Sequence, residues 1–466
     1  RNRIINKFLR ETIDLGKNKL NFRDVVFEGL ATDGGLYIPD KWPKLDIHKI
    51  DSFSSMSYQE IAYEIIKLYV DDSLSKDELK KIISESYCNF DHDDITPLIH
   101  SHDNQYFLEL YHGPTYAFKD IAMQFISRLM GHYLENDNRN INILGATSGD
   151  TGAAAIEGFK NITSAKIFIL HPHNKISEVQ RKFMTTIESN SVHNIAIKGS
   201  FDDCQNIIKK IFSDTNYKIS KNLTAINSIN WARIMCQIVY YFYAMSRLPN
   251  NKNTLFSVPT GNFGDIFAGY VAKKMGLDIK MFNIATNEND ILTRTLQTGI
   301  HALKNVKETS SPSIDIQISS NFERLLYDIT KDSEYVNNLM HELKNKKVYN
   351  LDESILHKIR QSFVSNSVSE TNVRTTISNL YNSYNLVVDP HTAVGYTSSI
   401  DLRETYNNIV TLSTAHPAKF KDTVVDIIKN DNFVTKKIHD IINRDEKMTI
   451  LENDVSSVQK FINTSV

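Results

Sequence analysis

Apolar residues change their spacing along this chain near residue 95. Before that point, residues 57–69 and 76–86 place them three and four positions apart, the repeat of one helix face. Residues 1–95 therefore predict a mainly helical region. It is interrupted by Ala31-Thr32-Asp33-Gly34-Gly35-Leu36-Tyr37, a turn that runs into a short strand. Beyond about residue 100 the pattern becomes short runs rich in Ile, Val, Leu and Phe, separated by helical segments. The predicted strands are 106–111, 141–145, 166–170, 194–198, 254–258, 281–285 and 409–413. They lack the alternation of a half-solvated sheet, which suits mostly parallel sheets covered on both faces. The fold class is α/β. The polar stretch 300–385 is expected to insert between strands or decorate a sheet, and the tail after about 420 to form short helices.

Composition narrows the partners. With 466 residues, 41% hydrophobic and 23% charged, the chain has the make-up of a globular protein of two or three domains. Its 53 basic residues nearly balance 55 acidic ones, giving a net charge of −2. No basic field recommends a nucleic-acid or acidic-membrane partner. The apolar stretch 234–245 is broken by Gln237 and falls short of the roughly 20 residues that cross a bilayer, so no membrane is expected. Cys88, Cys204 and Cys236 are far apart, which points to a reducing, cytoplasmic setting. Residues 1–10 mix charges with apolar side chains and lack a secretory core, although a removed leader is compatible with the missing first Met. No metal site is expected. His171-Pro172-His173 is a pair without further ligands, and His341-Glu342 lacks the second His of a zinc motif. Nor does any feature call for an obligate protein partner.

Ligands of open α/β sheets sit beyond the carboxyl ends of the strands, and four predicted strands end there in unusual loops. Strand 106–111 runs into His112-Gly113-Pro114-Thr115-Tyr116-Ala117-Phe118-Lys119-Asp120. Gly113-Pro114 forces a turn, and a helix is expected to open near Tyr116 or Ala117 with Lys119 in its first turn. There the positive end of the helix dipole disfavours the ammonium form. The neutral amine that remains is the form that attacks an aldehyde to make a Schiff base.

Strand 141–145 leads into Ala146-Thr147-Ser148-Gly149-Asp150-Thr151-Gly152 and a helix of small residues. Its glycines, hydroxyls and helix N–H groups suit an anion, with Asp150 also readable as a helix cap. Strand 254–258 leads into Pro259-Thr260-Gly261-Asn262-Phe263-Gly264-Asp265, a second nest of N–H donors before a helix over 266–275. Strand 409–413 leads into Thr414-Ala415-His416-Pro417-Ala418-Lys419-Phe420, with a hydroxyl and two cationic donors, His416 and Lys419. Any one of these also fits an ordinary strand–helix turn, and any one lysine an ordinary surface lysine. Together they hold what an aldehyde cofactor with a phosphate arm needs to act on an anionic amino acid.

At this point a resemblance enters. Residues 112–120 closely resemble the lysine motif of threonine synthases, a pyridoxal-phosphate family of fold type II. Segments 30–39, 146–152, 227–233, 259–265, 311–315, 389–393 and 414–419 also look like family segments, in order, so the resemblance spans nearly the whole chain. It implies two open, mostly parallel sheet domains flanked by helices, with a mainly helical N-terminal domain. The implied division is 1–95 for that domain, 96–425 for an interleaved catalytic region with a cleft, and 426–466 for a helical tail.

The resemblance also implies site residues. Lys119 would hold pyridoxal 5′-phosphate as an internal aldimine. Gly261, Asn262, Phe263, Gly264 and Asp265 would surround the cofactor phosphate, and Thr414 would meet the pyridine nitrogen. Ser148, Gly149, Asp150 and Thr151 match the loop that receives the substrate's carboxylate end. Asn230, Arg233 and Lys419, with His112, match positions near the cofactor or the substrate phosphate. Tyr116 stands where the family motif often has Leu.

The implied reaction is O-phospho-L-homoserine plus water giving L-threonine and phosphate. The nearest rival is another fold-type II dehydratase, which needs no substrate-phosphate site. A threonine-synthase-like lyase that only eliminates phosphate is a second, and a catalytically silent scaffold a third.

Overall fold

Two sheets carry the fold in the computed structural model, which describes residues 8–10, 19–29, 31, 34–70 and 72–466. The larger has six strands in the order Phe363–Ser367, Met281–Thr286, Thr254–Pro259, Asn408–Ser413, Gln105–Glu109 and Leu98–His102. All pair in parallel except the last, which returns antiparallel at the edge. The smaller sheet is wholly parallel, in the order Thr449–Leu451, Val192–Ile197, Ala165–Pro172, Ile141–Ala146 and Leu223–Thr224.

All seven predicted strands occur, with their ends within two residues of expectation. The central ones, Thr254–Pro259 and Asn408–Ser413, are buried along their full length. That burial is why they read as unbroken apolar runs. The four strands of these sheets that the pattern misses all lie at sheet edges. Phe363–Ser367, from the polar stretch, is buried only at its first residue, and Thr449–Leu451, from the tail, is buried nowhere. An edge strand has one partner and a wet flank, so its sequence carries little apolar signal.

The N-terminal region is mainly helical, as expected, with helices Phe22–Glu28, Ile47–Ser52, Tyr58–Ile66 and Lys76–Tyr87. Ser57 and Ser75 open the last two through capping boxes with Glu60 and Glu78. A small antiparallel sheet of Phe8–Arg10, Lys19–Leu20 and Tyr37–Pro39 accompanies them. Thr32 and Asp33 of the expected turn, Leu30 before it, and residues 1–7 lie outside the described residues.

The apolar stretch 234–245 forms most of the helix Trp231–Arg247, buried from Trp231 through Met245. It packs against Tyr58–Ile66, Lys119–Asn136 and Gly264–Lys274, so helical region and sheets share one core. Among the described residues no helix is long and apolar enough to cross a membrane.

Candidate active site

The first and fourth loops are laced together by their backbones. Leu110 N–H donates to Ser413 O at 2.9 Å, Phe118 N–H to Thr414 O at 2.9 Å, and His416 N–H to Tyr116 O at 3.0 Å. Inside the first loop Asp120 is fully buried and accepts from Thr115 N–H at 2.8 Å and Thr115 Oγ1 at 2.7 Å. A Cβ on Gly113 would lie 2.5 Å from Asp120 Cβ, so only glycine permits this closure. The helix opens later than the pattern suggests, at Lys119 itself, with Phe118 as its cap. Lys119 is therefore the first helical residue, directly after Phe118, whose N–H meets Thr414 O; Thr414 is 6% exposed.

Only 13% of the Lys119 side chain is exposed, and its Nζ lies 3.7 Å from Asp150 Oδ2. Burial is the main force that pulls its ammonium below the ordinary lysine range. Asp150 opposes this, while Lys419 and Arg233 add to it. Asp150 is not the helix cap; Gly149 holds that place and Asp150 is the first helical residue. Burial alone would raise the Asp150 pKa, yet Lys419 and Lys119 together hold it far below the usual carboxylate range. Lys419 Nζ, 1% exposed as a residue, sits 2.8 Å from Asp150 Oδ1 and donates to Thr115 O at 2.8 Å. Gln180 Nε2 at 3.1 Å and Ser313 Oγ at 3.1 Å complete the donors around this carboxylate.

The third loop turns at Phe263, whose φ of 62° and ψ of 13° put it in the left-handed region. Its ring packs against Phe322 and Phe363. The helix Gly264–Lys274 follows, and the N–H groups of a helix's first turn have no partner within it. Segment 311–321 braces the loop from outside. Ser319 Oγ donates to Gly261 O at 2.7 Å and Asn321 N–H to Asn262 O at 2.9 Å. A Cβ on Gly261 would lie 2.8 Å from Ser313 O. Asp265 is buried; burial raises its pKa to about 7, and its Oδ2 has no hydrogen bond among the described residues.

Arg233 is 3% exposed, in the first turn of Trp231–Arg247. Its Nε and one terminal nitrogen, Nη1, have no hydrogen-bond partner among the described residues. Burial lowers even its pKa, to about 10.

Comparisons with known proteins give the family and the fold. The sequence matches the family models Threonine synthase N terminus over 10–87, Pyridoxal-phosphate dependent enzyme over 90–412, and Threonine synthase, C-terminal over 392–462. The threonine synthase of Pseudomonas aeruginosa is 43% identical over 447 residues, 95% of each chain. The chain belongs to the threonine synthase family. Two solved threonine synthases share its fold. The pyridoxal-phosphate-bound protein of Brucella melitensis has a TM-score of 0.94 at 40% identity and 99% coverage of both chains. Yeast threonine synthase has a TM-score of 0.94 at 37% identity, covering 100% of this chain and 99% of its own.

Several other residues of the expected site differ in exposure or have partners within the fold. Ser148 is exposed at the loop tip and Thr151 half-buried. Asn230 is spent on the fold: its Oδ1 accepts from Ala232 N–H at 3.0 Å and its Nδ2 donates to Val26 O at 2.9 Å. His112 Nε2 faces Glu109 at 3.1 Å. His416 is a cap and not a cationic donor. Its Nδ1 accepts from Ala418 N–H at 3.0 Å, and burial pushes its pKa down to about 4. Sequence reasoning left Asp120, Gln180, Ser313 and His391 without roles. Ser313 and His391 do fall in threonine-synthase-like segments, 311–315 and 389–393, and that was the available signal.

Proposed function

We propose that this chain converts O-phospho-L-homoserine and water into L-threonine and phosphate, with pyridoxal 5′-phosphate held by Lys119. One observation carries the reading: Lys119, largely buried, and Arg233, buried, stand in the first turns of two helices, and both Arg233 and the buried Lys419 lie near enough to Lys119 to disfavour its ammonium form. The positive end of a helix dipole and the loss of water both disfavour cations there. Asp150, paired with Lys119 and Lys419, leaves Arg233 without a counter-ion among the described residues. Such a cluster is waiting for anions. The Gly261–Gly264 turn, with its first-turn N–H groups and no room for a Cβ at Gly261, fits the cofactor's phosphate.

When bound, the cofactor supplies an electron-withdrawing imine that acidifies the neighbouring carbon of an amino acid. The protein's own residues would do the rest. Lys119, whose ammonium form burial disfavours, would take a proton from the α-carbon and return one nearer the β-carbon. Thr414 would meet the pyridine nitrogen as a neutral hydroxyl. Arg233 and Lys419 would draw the substrate phosphate, which favours this reaction over that of a dehydratase with no phosphate to bind. In the loop Ser148-Gly149-Asp150-Thr151, hydroxyls and N–H groups would receive the substrate carboxylate. The Asp150 carboxylate would instead hold the two lysines. The same reading keeps the division 1–95, 96–425 and 426–466, and the three unbridged cysteines fit a cytoplasmic setting.

The test compares wild type with Lys119→Ala after loading with pyridoxal phosphate. Wild type should carry the visible absorbance of a lysine-bound imine and release phosphate and threonine one for one from O-phosphohomoserine. Lys119→Ala should lose the band and about 10²–10⁴-fold or more of the rate. Phosphate with a keto acid in place of threonine would assign the chain to the eliminating lyases. No band in loaded wild type would overturn the enzyme reading.

A further inference from the structure

Asp389 and His391 form a fully buried pair below the site. Asp389 caps the helix Pro390–Ser399, and its Oδ2 lies 2.6 Å from His391 Nδ1. On the ring's far side, Ser313 N–H meets His391 Nε2 at 3.1 Å. A backbone N–H can only donate, so Nε2 must carry the lone pair and Nδ1 the proton that faces Asp389. Both neighbours thus select one neutral tautomer.

That tautomer fixes Ser313 at a junction. The Ser313 carbonyl lies against Gly261 in the proposed phosphate loop, and its hydroxyl reaches Asp150 Oδ2 at 3.1 Å. Gly261, His391 and both lysines follow or flank strands of the six-stranded sheet, whereas Asp150 follows Ile141–Ala146 of the five-stranded sheet. The Ser313–Asp150 hydrogen bond therefore crosses between the sheets. Neither end of its own segment is loose: Asn287 Nδ2 holds Ser311 Oγ at 2.9 Å and Asp315 Oδ1 at 2.7 Å.

We infer that Ser313 is a latch between the two sheets, set by the Asp389–His391 pair, which holds Asp150 and through it Lys119 and Lys419 in the geometry that receives substrate. His391 is a positioning residue acting through the Ser313 amide. The effect on substrate rests on the function proposed above; the effect on the Asp150 loop does not.

The test uses loaded holoenzyme in five forms: wild type, Ser313→Ala, His391→Gln, His391→Asn and the double variant Ser313→Ala/His391→Asn. The side-chain oxygen of Gln reaches the place of Nε2 and can still accept from Ser313 N–H, whereas Asn reaches only the place of Nδ1. Ser313→Ala and His391→Asn should each raise KM for O-phosphohomoserine about tenfold while kcat changes less, as loss of one hydrogen bond to a charged group implies. His391→Gln should stay near wild type, and the double variant Ser313→Ala/His391→Asn should be no worse than His391→Asn alone. Amide hydrogen exchange over residues 146–153, which needs no substrate, should quicken in Ser313→Ala and His391→Asn and not in His391→Gln. That exchange pattern without threonine formation would keep the latch and reject the proposed reaction. Unchanged exchange and KM in Ser313→Ala, equal behaviour of Gln and Asn, or additive effects in the double variant would overturn the latch. Should His391→Asn fail to fold, Ser313→Ala against His391→Gln still decides it.

Discussion

Arg233 occupies a costly position without an evident return among the described residues. A buried guanidinium with two nitrogens unpaired among the described residues, in the positive first turn of a helix, opposes both solvation and dipole. Arg233→Met removes that charge while keeping an unbranched stem. We expect the cofactor-free variant to unfold a few degrees higher than wild type, read by thermal melts. The loaded variant should bind O-phosphohomoserine at least about tenfold more weakly, a loss of about 1.4 kcal/mol. A lower midpoint in the cofactor-free variant would mean that Arg233 is already paired. At this scale residue types were readable and their company was not. Lys119 and Lys419 lie 300 positions apart in sequence and share one carboxylate only because two loops cross.

At the scale of elements, the junction between strand Gln105–Glu109 and helix Lys119–Asn136 is the part that aims Lys119. Its closure depends on Asp120 folding back onto Thr115 against a glycine. Gly113→Ala pushes a methyl into Asp120, and overpacking of this kind costs about 1–3 kcal/mol. We expect a lower melting midpoint and loss of cofactor on dialysis, whereas Gly34→Ala, where nothing lies within 4 Å, should leave cofactor retention unchanged despite its positive φ. The Gly113-Pro114 turn was legible, but the helix start was not. Residues 116 and 117 have no helical obstacle of their own; they are drawn into the backbone lacing with 414–416 instead.

At the scale of the whole molecule, the N-terminal region is tied to the catalytic body by buried polar contacts. Arg324, fully buried, donates to Tyr37 O at 2.7 Å and Ile229 O at 2.7 Å, joining the small sheet to the segment before the central helix. The core also confines neutral histidines. Burial lowers His301 to a pKa of about 3 and His171 to about 4, against 6.5 when unfolded. As pH falls below 6.5 the unfolded chain takes up protons that the folded chain refuses, so stability is lost with falling pH until the folded pKa is reached. Each such group contributes a slope of up to about 1.4 kcal/mol per pH unit in that window. His301→Gln should therefore flatten the dependence of unfolding on pH between roughly 4 and 6 by about one such slope, measured by denaturant titration. An unchanged slope would mean that His301 takes up a proton in the folded state.

The sequence by itself determined the α/β class, the buried central strands, the helical start of the chain and the four strand-end loops of the proposed site. Each of these is written in local pattern: apolar runs that burial on both sides requires, helix-face spacing, and glycines where the backbone must turn. Tertiary structure alone decided the edge strands, the true start of the Lys119 helix, the spending of Asn230 and His416 on caps, and the chain of contacts from Asp389 through Ser313 to Asp150. Those depend on which distant groups meet once water is excluded. A carboxylate's partner or a histidine's tautomer is set by that meeting, not by its neighbours in the chain.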